Sequence, residues 1–584
     1  MGYRVNYFND WIGPIFAFAT YGIIGQMLSI LRRILKLKSS RKILDPDEIF
    51  LDSRNLPSFN TQQFEGIIEK PIDKNSLILA GLVFLLIGLI FIFRIGFLQV
   101  IQGDGFALRS NQNRLRHTLV FADRGIIYDR NGVSLAWNDP NRKYINKEGF
   151  AHILGYIGFP NKLELKEKDF DPKEYMGKSG VENTFNDILM GEKGVKIEEL
   201  NALGKIESDH VLKVARPGES VTISIDSRVQ AEAYRIIKEI ASEHGFTGAA
   251  AAIMDIKTGE MLALVSYPEF DSNIMASGKN RQAINKFLTD KGNLFLNRPV
   301  SGLYTPGSTI KPYIGLAALA ENLISPSKII VSTGRLVVPN PYFPDKPSIF
   351  LDNKVHGAVD MRRALAVSSN VYFYTIGGGF GDQPGLGIKL IDKYSGLFGF
   401  GVPTGIELNN EGAGVVPSPD WKKKVFSDEP WRLGDTYHTA IGQYGYLVTP
   451  LQIARAVATI ASDGQVLRPT LVARPKTPKI LRAMDVPAED FEVIKEGMRQ
   501  TVTGGTGIVL NTPNVNVAAK SGTAQVASKS RINAWISGFF PYENPRYAFV
   551  VVMESGPLTT NAGGGMVMRR LVDWMAIYTP EYLR

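Results

Sequence analysis

Residues 304–313 read Tyr-Thr-Pro-Gly-Ser-Thr-Ile-Lys-Pro-Tyr, and this stretch predicts a site centred on a serine. Its Pro-Gly pair predicts a turn that delivers Ser308, and the apolar run 314–319 predicts a buried helix after it. Residues three apart on a helix have Cβ atoms roughly 5–6 Å apart, so Ser308 and Lys311 would be neighbours. A hydroxyl beside an amine is the minimum for a serine nucleophile with its own base. A position near a helix N-terminus also favours a developing negative charge.

The Ser-x-x-Lys pattern is short, and the chain repeats it at Ser39–Lys42 and at Ser325–Lys328. The first repeat lies in a basic tract beside a hydrophobic segment, and the second lies in a polar loop. Context therefore has to distinguish the copy at Ser308 from the other two. A serine acyl-transfer enzyme without a catalytic histidine also needs a proton shuttle, a cation for a substrate carboxylate and backbone donors for an oxyanion.

Two later clusters offer these groups. Ser368-Ser369-Asn370 follows a predicted helix over 361–367 and presents a hydroxyl and an amide from one turn. Lys520-Ser521-Gly522-Thr523 is predicted to end an apolar strand over 515–520, and it offers a cation, hydroxyls and a glycine that permits close backbone approach. Each cluster alone could be an ordinary cap or turn. The order 308, 368, 520, each at the end of an element, favours one shared site.

Composition narrows the number of domains and the classes of catalytic site that the chain can have. The 584 residues are too many for one core and predict about three or four structural units, while 44% apolar and 21% charged residues are typical of a folded protein. The absence of cysteine excludes disulfides, cysteine–zinc sites and a thiol nucleophile. The six histidines lie near no Gly-x-Ser-x-Gly elbow and form no His-Glu-x-x-His motif, which argues against a histidine-dependent hydrolase or a zinc protease.

Membrane signals lie in the first hundred residues. Residues 1–42 hold an uncharged segment, 11–31, which could span the bilayer, lie in its interface or form a buried hairpin, and a basic flank. We interpret that flank as a juxtamembrane tract and not as a nucleic-acid site. Residues 43–75 are interpreted as a cytosolic linker, and 76–101 as an uncleaved transmembrane anchor. Positive charge before the anchor predicts that everything after about residue 102 is extracytoplasmic.

The extracytoplasmic part divides into two predicted domains. Residues 102–225 carry short strands and turns without an acid, base or nucleophile constellation, which indicates a pedestal or interaction module. Residues 226–584 begin with a capped helix that runs to about 244, followed by a strand pair, a helical middle, late strands and a closing helix over 566–575. This order predicts an α+β domain with an antiparallel sheet and flanking helices.

Together these motifs resemble the class B penicillin-binding proteins, which are membrane-anchored peptidoglycan D,D-transpeptidases with an elongated pedestal domain before the catalytic domain. Ser308-Thr-Ile-Lys311, Ser368-Ser-Asn370 and Lys520-Ser-Gly-Thr523 carry the likeness. Further similar stretches are 124–132, 180–182, 403–408, 441–443 and 449–452. The chain departs from the family at Gly442-Gln443-Tyr444-Gly445, where Gly-Gln-Gly is usual, and residues 1–75 are not part of the usual pattern.

The resemblance implies a role for each motif residue. Ser308 would attack the penultimate D-Ala carbonyl of a donor stem peptide, and Lys311, with its pKa lowered by Lys520, would take the serine proton. Ser368 would relay a proton to the leaving amine while Asn370 holds the peptide backbone. Lys520 and Thr523, within a substrate-binding stretch that includes Ser521 and Gly522, would grip the terminal carboxylate. Backbone N–H groups of Ser308 and Thr523 would form the oxyanion hole. No cofactor and no metal are expected.

The resemblance also implies a biological role. Release of D-Ala and cross-linking of stem peptides would serve cell elongation and shape, and Gly434-Asp-Thr436 favours the elongation type over the septal type. A septal transpeptidase, a β-lactam sensor and a β-lactamase are the alternatives. Expected partners are peptidoglycan stem peptides, β-lactams, the lipid bilayer, a SEDS-type glycosyltransferase and elongation-complex proteins, and no nucleic acid. The expected location is the inner membrane, with the catalytic domain outside.

Overall fold

The computed structural model describes residues 73–167, 170–201, 205–340, 342–474, 477–526 and 530–584. The predicted N-terminal segment 1–42, with the possible span at 11–31, lies outside the described residues, as does nearly all of the predicted linker 43–75. The chain divides into two compact units, residues 1–107 and 108–584.

The described part of the first unit is helical. A helix over Lys74–Gly96 continues as a π-helical turn over Phe97–Ile101, and a further helix covers Gly103–Arg114. Of the described residues, the 28 from Lys74 to Ile101 form the one stretch long and apolar enough to cross a membrane. Its leucine, isoleucine and phenylalanine side chains are mostly exposed, which suits a surrounding of lipid tails. This stretch is a candidate membrane anchor and coincides with the predicted one.

Short strands and helices make up residues 115–225, whereas the sequence predicted short strands and turns over 102–225, a range that begins with the helix Gly103–Arg114. The strands are Leu115–Val120, Ile127–Tyr128, Ser134–Asp139, Asn141–Tyr144, Ile157–Gly158, Met176–Gly177, Gly194–Leu200, Ile206–Lys213 and Val221–Thr222. The helices are Ala151–Leu154, Glu164–Glu167, Gly180–Thr184 and Asn186–Leu189. The fully buried carboxylate of Glu182 accepts from the Nε of Arg124 at 2.5 Å and of Arg142 at 2.6 Å. Each of its oxygens faces a guanidinium, so this buried charge is compensated.

A five-stranded antiparallel sheet organises residues 226–584, the predicted catalytic half. Its strands are β1 (Gly248–Asp255), β2 (Met261–Tyr267), β3 (Ala518–Gln525), β4 (Arg531–Phe540) and β5 (Tyr547–Pro557). Their order across the sheet is β2-β1-β5-β4-β3, so β3 is an edge strand. The sheet brings the chain end beside residue 250 and leaves one side of β3 open.

Helices cover both faces of this sheet. The helices that bear on the site are α1 (Ser227–His244), α2 (Lys311–Ala320), α3 (Met361–Val367), α4 (Asn370–Gly378), α5 (Ala488–Gly504) and α6 (Gly564–Tyr578). Side chains of β1 alternate between two cores: Ala249, Ala251 and Ile253 join α1 and α6 in one core, while Ala250, Ala252 and Met254 join α2, α3 and α4 in the other. This period of two places the sheet between two apolar layers.

Further helices and strand pairs complete residues 226–584. Further α-helices are Ser272–Ser277, Arg281–Thr289, Arg298–Ser301, Gly387–Phe398, Pro419–Val425, Leu433–Ala440 and Pro450–Ala461. The 3₁₀ helices are Gly307–Ile310, Ile508–Leu510 and Pro580–Tyr582. Small strand pairs are Ile330–Ser332 with Gly357–Val359, Arg335–Val338 with Ser348–Leu351, and Gln465–Leu467 with Ile480–Ala483.

The predicted α+β class, with an antiparallel sheet and flanking helices, is confirmed. One local prediction is wrong: Lys520-Ser521-Gly522-Thr523 does not end its strand but lies within β3. Backbone pairing with β4 continues past the apolar run, from Lys520 opposite Ser537 to Thr523 opposite Ala534. Pairing through the backbone does not require apolar side chains, so the polar residues did not mark an end.

Candidate active site

Ser308 lies in the 3₁₀ turn Gly307–Ile310, directly before α2. Its side chain is partly exposed, and among the described residues no group forms a hydrogen bond with its hydroxyl. Gly307 has φ of +54°, and a Cβ there would lie 2.9 Å from the carbonyl oxygen of Thr523. The serine turn is therefore held against β3 by a residue that can only be glycine.

Lys311 begins α2 and is completely buried. Its Nζ donates to the carbonyl oxygen of Ser368 at 2.8 Å and to Asn370 Oδ1 at 2.7 Å, and it lies 3.3 Å from Ser368 Oγ. Burial, with a further contribution from the charge of Lys520, holds the pKa of Lys311 well below its usual range, although Asp352 opposes that shift. The predicted proximity of the first and second motifs is thus present in the structure.

The turn between α3 and α4 positions the second motif. Ser368 caps the end of α3 in the left-handed region, with φ of +60°, and Ser369 caps the start of α4 by accepting from the backbone of Tyr372. This abrupt change between two helices turns the Ser368 hydroxyl and the Asn370 amide toward the same amine. A non-glycine residue in this backbone region is uncommon and marks a tightly determined turn.

Lys520 enters the same buried space from the edge strand β3. Its Nζ is completely buried, lies 3.0 Å from Ser368 Oγ and donates to the carbonyl oxygen of Ser521 at 2.8 Å. Burial lowers the pKa of Lys520 to about 7. The Ser368 hydroxyl therefore bridges two amines whose pKa values are both lowered, which favours the neutral form of each.

The remaining residues of the third motif line the open side of β3. A Cβ on Gly522 would lie 2.8 Å from Thr309 Cγ2 and 3.0 Å from the carbonyl oxygen of Pro306, so the strand and the serine turn touch through backbone. Thr523 is exposed and Ser521 is partly exposed. The structure thus brings Ser308, Lys311, Ser368, Asn370 and Lys520–Thr523 to one place. Their individual roles, and the oxyanion hole from Ser308 and Thr523, stay predictions.

Comparison with known proteins places this arrangement in a family. A family model described as the penicillin-binding protein transpeptidase domain matches residues 249–573, and a model of the penicillin-binding protein dimerisation domain matches residues 137–223. The chain is similar to a Haemophilus influenzae protein named peptidoglycan D,D-transpeptidase MrdA, with 30% identity over 88% of this chain and 94% of the relative.

The chain belongs to the class B penicillin-binding proteins.

Solved structures of penicillin-binding proteins agree with this assignment. Pseudomonas aeruginosa PBP2 in complex with WCK 5153 has a TM-score of 0.68 and 30% identity, covering 79% of this chain and 97% of that one. PBP2 of Helicobacter pylori in complex with MreC also has a TM-score of 0.68, with 26% identity, covering 80% of this chain and 99% of that one.

One site residue of this penicillin-binding protein was missed by the sequence analysis. The Asp352 carboxylate accepts from the backbone N–H of Asn370 at 2.7 Å, from Ser369 Oγ at 2.7 Å and from Ser332 Oγ at 2.8 Å. These hydrogen bonds help to hold the pKa of Asp352 below its usual value despite burial. Asp352 therefore fixes the turn that carries Ser368 and Asn370, and no local pattern around it signals that contact.

The departure at Gly442–Gly445 also has a structural context in this penicillin-binding protein. Gly442 accepts from the backbone N–H of Gly307 at 3.0 Å, directly beside the serine turn. Tyr444 has φ of +60°, and its ring contacts those of Trp421, Phe426 and Trp431 at centroid distances of 5.8, 6.0 and 5.8 Å. Ring contacts offset the cost of a bulky residue in the left-handed region. Among the described residues, no group of three or more His, Asp or Glu could hold a metal ion.

Proposed function

We propose that the chain is a peptidoglycan D,D-transpeptidase of the elongation type that cross-links stem peptides through an acyl-enzyme on Ser308. The observation that carries the mechanism is the buried pair Lys311 and Lys520, joined by the Ser368 hydroxyl at 3.3 and 3.0 Å. The similarity to the MrdA protein and to PBP2 structures supports the elongation role, and the septal alternative is less supported.

Lys311 acts as the base because burial favours its neutral form. A neutral amine has two N–H groups and one lone pair, whereas the ammonium form has three donors. Two groups that can only accept, the Ser368 carbonyl and Asn370 Oδ1, take two N–H groups at 2.8 and 2.7 Å, and Ser368 Oγ is the third contact at 3.3 Å. With the pKa of Lys311 lowered by burial and by Lys520, the neutral amine has one lone pair, which receives the proton of Ser308 during acylation.

Acylation then proceeds in three proton transfers. Ser308 Oγ forms a bond to the carbonyl carbon of the penultimate D-Ala as its proton passes to Lys311 Nζ. The carbonyl oxygen becomes an oxyanion, which the backbone N–H groups of Ser308 and Thr523 stabilise. The C–N bond to the terminal D-Ala breaks, and the leaving amine takes a proton from the Ser368 hydroxyl, which is replenished by one of the two lysines. An ester on Ser308 and free D-Ala are the products.

The third motif binds the end of the donor peptide. Lys520 and Thr523 hold the terminal carboxylate, and Ser521 and Gly522 shape the open side of β3 that receives the peptide. Asn370 holds the peptide backbone with its amide. An amine of a neighbouring stem then attacks the ester, its proton passes back through the same base, and Ser308 regains its own proton. A β-lactam follows the first half of this path and remains on Ser308.

The membrane and its proteins supply the remaining partners. The apolar stretch Lys74–Ile101 is a candidate anchor, and we place it in the inner membrane with the catalytic half outside. The Helicobacter pylori relative is described in a complex with MreC, which supports an elongation-complex partner for this chain. We further propose a SEDS-type glycosyltransferase as the partner that supplies glycan strands.

A transpeptidation assay on full-length protein in detergent, with nascent peptidoglycan as substrate, tests this function. The unaltered protein should release D-Ala and form cross-linked stem dimers, and penicillin should block both. Ser308→Ala should abolish both products, whereas Ser325→Ala, in the repeat of the same pattern, should leave them unchanged. Release of D-Ala without any cross-linked product would refute a transpeptidase in favour of a hydrolase.

A further inference from the structure

The loop Gly504–Gly507 joins two motifs of the site. It closes α5, and the backbone N–H of Thr506 donates to the carbonyl oxygen of Ala366 at 3.0 Å. A Cβ on Gly505 would lie 2.2 Å from that same carbonyl oxygen, so only glycine allows the approach. The loop is thereby fixed to α3 at Ala366, which lies two residues before Ser368 in the sequence.

The other side of the loop reaches the edge strand. The hydroxyl oxygens of Thr506 and Ser521 lie 2.6 Å apart, a short hydrogen bond. Ser521 follows Lys520, whose Nζ donates to the Ser521 carbonyl oxygen at 2.8 Å and lies 3.0 Å from Ser368 Oγ. Thr506 therefore contacts the site in two places: its hydroxyl bonds to Ser521 beside Lys520 in β3, and its backbone N–H bonds to the end of α3 just before Ser368. Thr506 is its exposed member.

The hydroxyl pair has a chemical consequence. Each hydroxyl has one proton and can also accept, so in a bonded pair one proton stays available. When Thr506 donates to Ser521 Oγ, the Ser521 proton is free to donate to an acceptor outside the protein. Ser521 is partly exposed and directly follows Lys520 in β3, and its carbonyl oxygen accepts from the Lys520 amine at 2.8 Å. A donor beside a cation is the arrangement that binds a carboxylate by charge-assisted hydrogen bonding.

We infer that Thr506 is a positioning residue for the carboxylate-binding part of the site, acting through the Ser521 hydroxyl on the terminal carboxylate of the donor peptide or of a β-lactam. The inference rests on the proposed function, and it adds Thr506 to the residues that determine which substrates the site recognises. Thr506 does not touch the reacting carbonyl. Its loss weakens recognition of the carboxylate and leaves the lysine pair and Ser308 in place.

Acylation rates with benzylpenicillin and with its carboxylate methyl ester separate this role from a structural one. Thr506→Val keeps the shape but removes the hydroxyl, and it should lower the second-order rate constant for the acid about tenfold, the effect of one net hydrogen bond. The rate constant for the ester should change less than twofold, because the ester presents no carboxylate. Thr506→Ser should behave as the unaltered protein, and Thr333→Val, at another exposed threonine, is the matched control.

A double-mutant cycle checks the route through Ser521. Thr506→Val should add nothing to the effect of Ser521→Ala if both act through one hydrogen bond. An unchanged rate for the acid, an equal loss for acid and ester, or effects that multiply in the double variant would each overturn the inference. Thr506→Ala, measured in parallel, should repeat the loss for the acid if Thr506→Val folds poorly. Failure of the proposed function is distinguishable, because the unaltered protein would then not be acylated on Ser308.

Discussion

At the scale of single residues, the proposed chemistry depends on keeping an amine neutral where an ordinary lysine is charged. Lys311 and Lys520 lie buried around one hydroxyl, and burial makes the charged form of each costly. Mutual repulsion adds to that effect on Lys311, since Lys520 also lowers its pKa. In the proposed mechanism, burial of an amine away from water thus produces the base, and no histidine is required.

Replacing Lys311 by arginine tests that base. Arginine keeps the positive charge but cannot lose its proton near neutral pH, so Lys311→Arg should lower the rate constant of penicillin acylation at least ~100-fold. In the unaltered protein the rate constant should fall across a series of decreasing pH values, because protonation removes the lone pair of Lys311. Stopped-flow acylation across this series measures both effects. Lys328→Arg, in the Ser325 repeat, should match the unaltered protein, and an active Lys311→Arg variant would contradict a lysine base.

At the scale of elements, the site is the seam between the edge strand β3 and the serine turn. Backbone meets backbone there, through Gly307 on the turn and Gly522 on the strand. An edge strand is normally exposed to unwanted pairing, but here its open side is the surface that would receive an extended peptide.

Adding one methyl group to this seam should separate its two sides. Gly522→Ala places a Cβ 2.8 Å from Thr309 Cγ2 and 3.0 Å from the Pro306 carbonyl oxygen, so the strand or the turn must move. We expect acylation at least tenfold slower and a loss of about 1–3 kcal/mol in the free energy of unfolding. Denaturant titration and acylation kinetics measure the two effects. Gly396→Ala, which meets no atom within 4 Å, is the control and should leave both nearly unchanged. An unaffected Gly522→Ala variant would show that the seam tolerates separation.

How far the sequence predicts this site depends on how local each signal is. Spacing of three residues places Ser308 beside Lys311, and the apolar run of β1 with the alternating return strand β2 predicts a strand pair, because both signals are local in the sequence. Asp352 and Thr506 escape prediction because their partners lie far away in sequence: Asp352 is 17 residues before Ser369, and Thr506 is 15 before Ser521. Polar residues in loops carry no periodic pattern that names a distant partner. The prediction that the strand ends at Lys520 was wrong for a related reason, because the length of β3 is set by its pairing with the neighbouring strand β4.

At the scale of the whole molecule, hydrogen bonds join the predicted pedestal to the catalytic half within the second compact unit. Ser227 Oγ donates to Asp129 at 2.7 Å, and the backbone N–H of Tyr144 donates to Asn273 Oδ1 at 2.9 Å. The partly buried carboxylate of Glu269 accepts from the backbone N–H groups of Gly149 at 2.5 Å and Ala151 at 2.9 Å.

Glu269 should make the stability of this junction depend on pH. Burial, with the nearby charges of Glu148 and Asp271, raises the pKa of Glu269 to about 7, despite the two backbone hydrogen bonds that lower it. Between its unfolded pKa, about 4.5, and about 7 the folded state binds more protons, so stability is fully present below that window and is lost as pH rises through it.

Thermal unfolding of the full-length protein in detergent measures this dependence. The melting temperature should fall between about pH 4.5 and pH 7, and Glu269→Gln, which stays neutral, should flatten the curve. Glu207→Gln, at an exposed position, should keep the slope of the unaltered protein. A Glu269→Gln variant with an unchanged slope would assign the pH dependence to other groups.

The location of a penicillin adduct tests the central claim most directly. Peptide mapping by mass spectrometry after brief exposure of the full-length protein to benzylpenicillin should find one acylated peptide, with the added mass on Ser308. Ser325→Ala protein should give the same peptide, and Ser308→Ala protein should give none. An adduct on any other residue, or labelling that persists in Ser308→Ala, would contradict the assignment of Ser308 as the nucleophile.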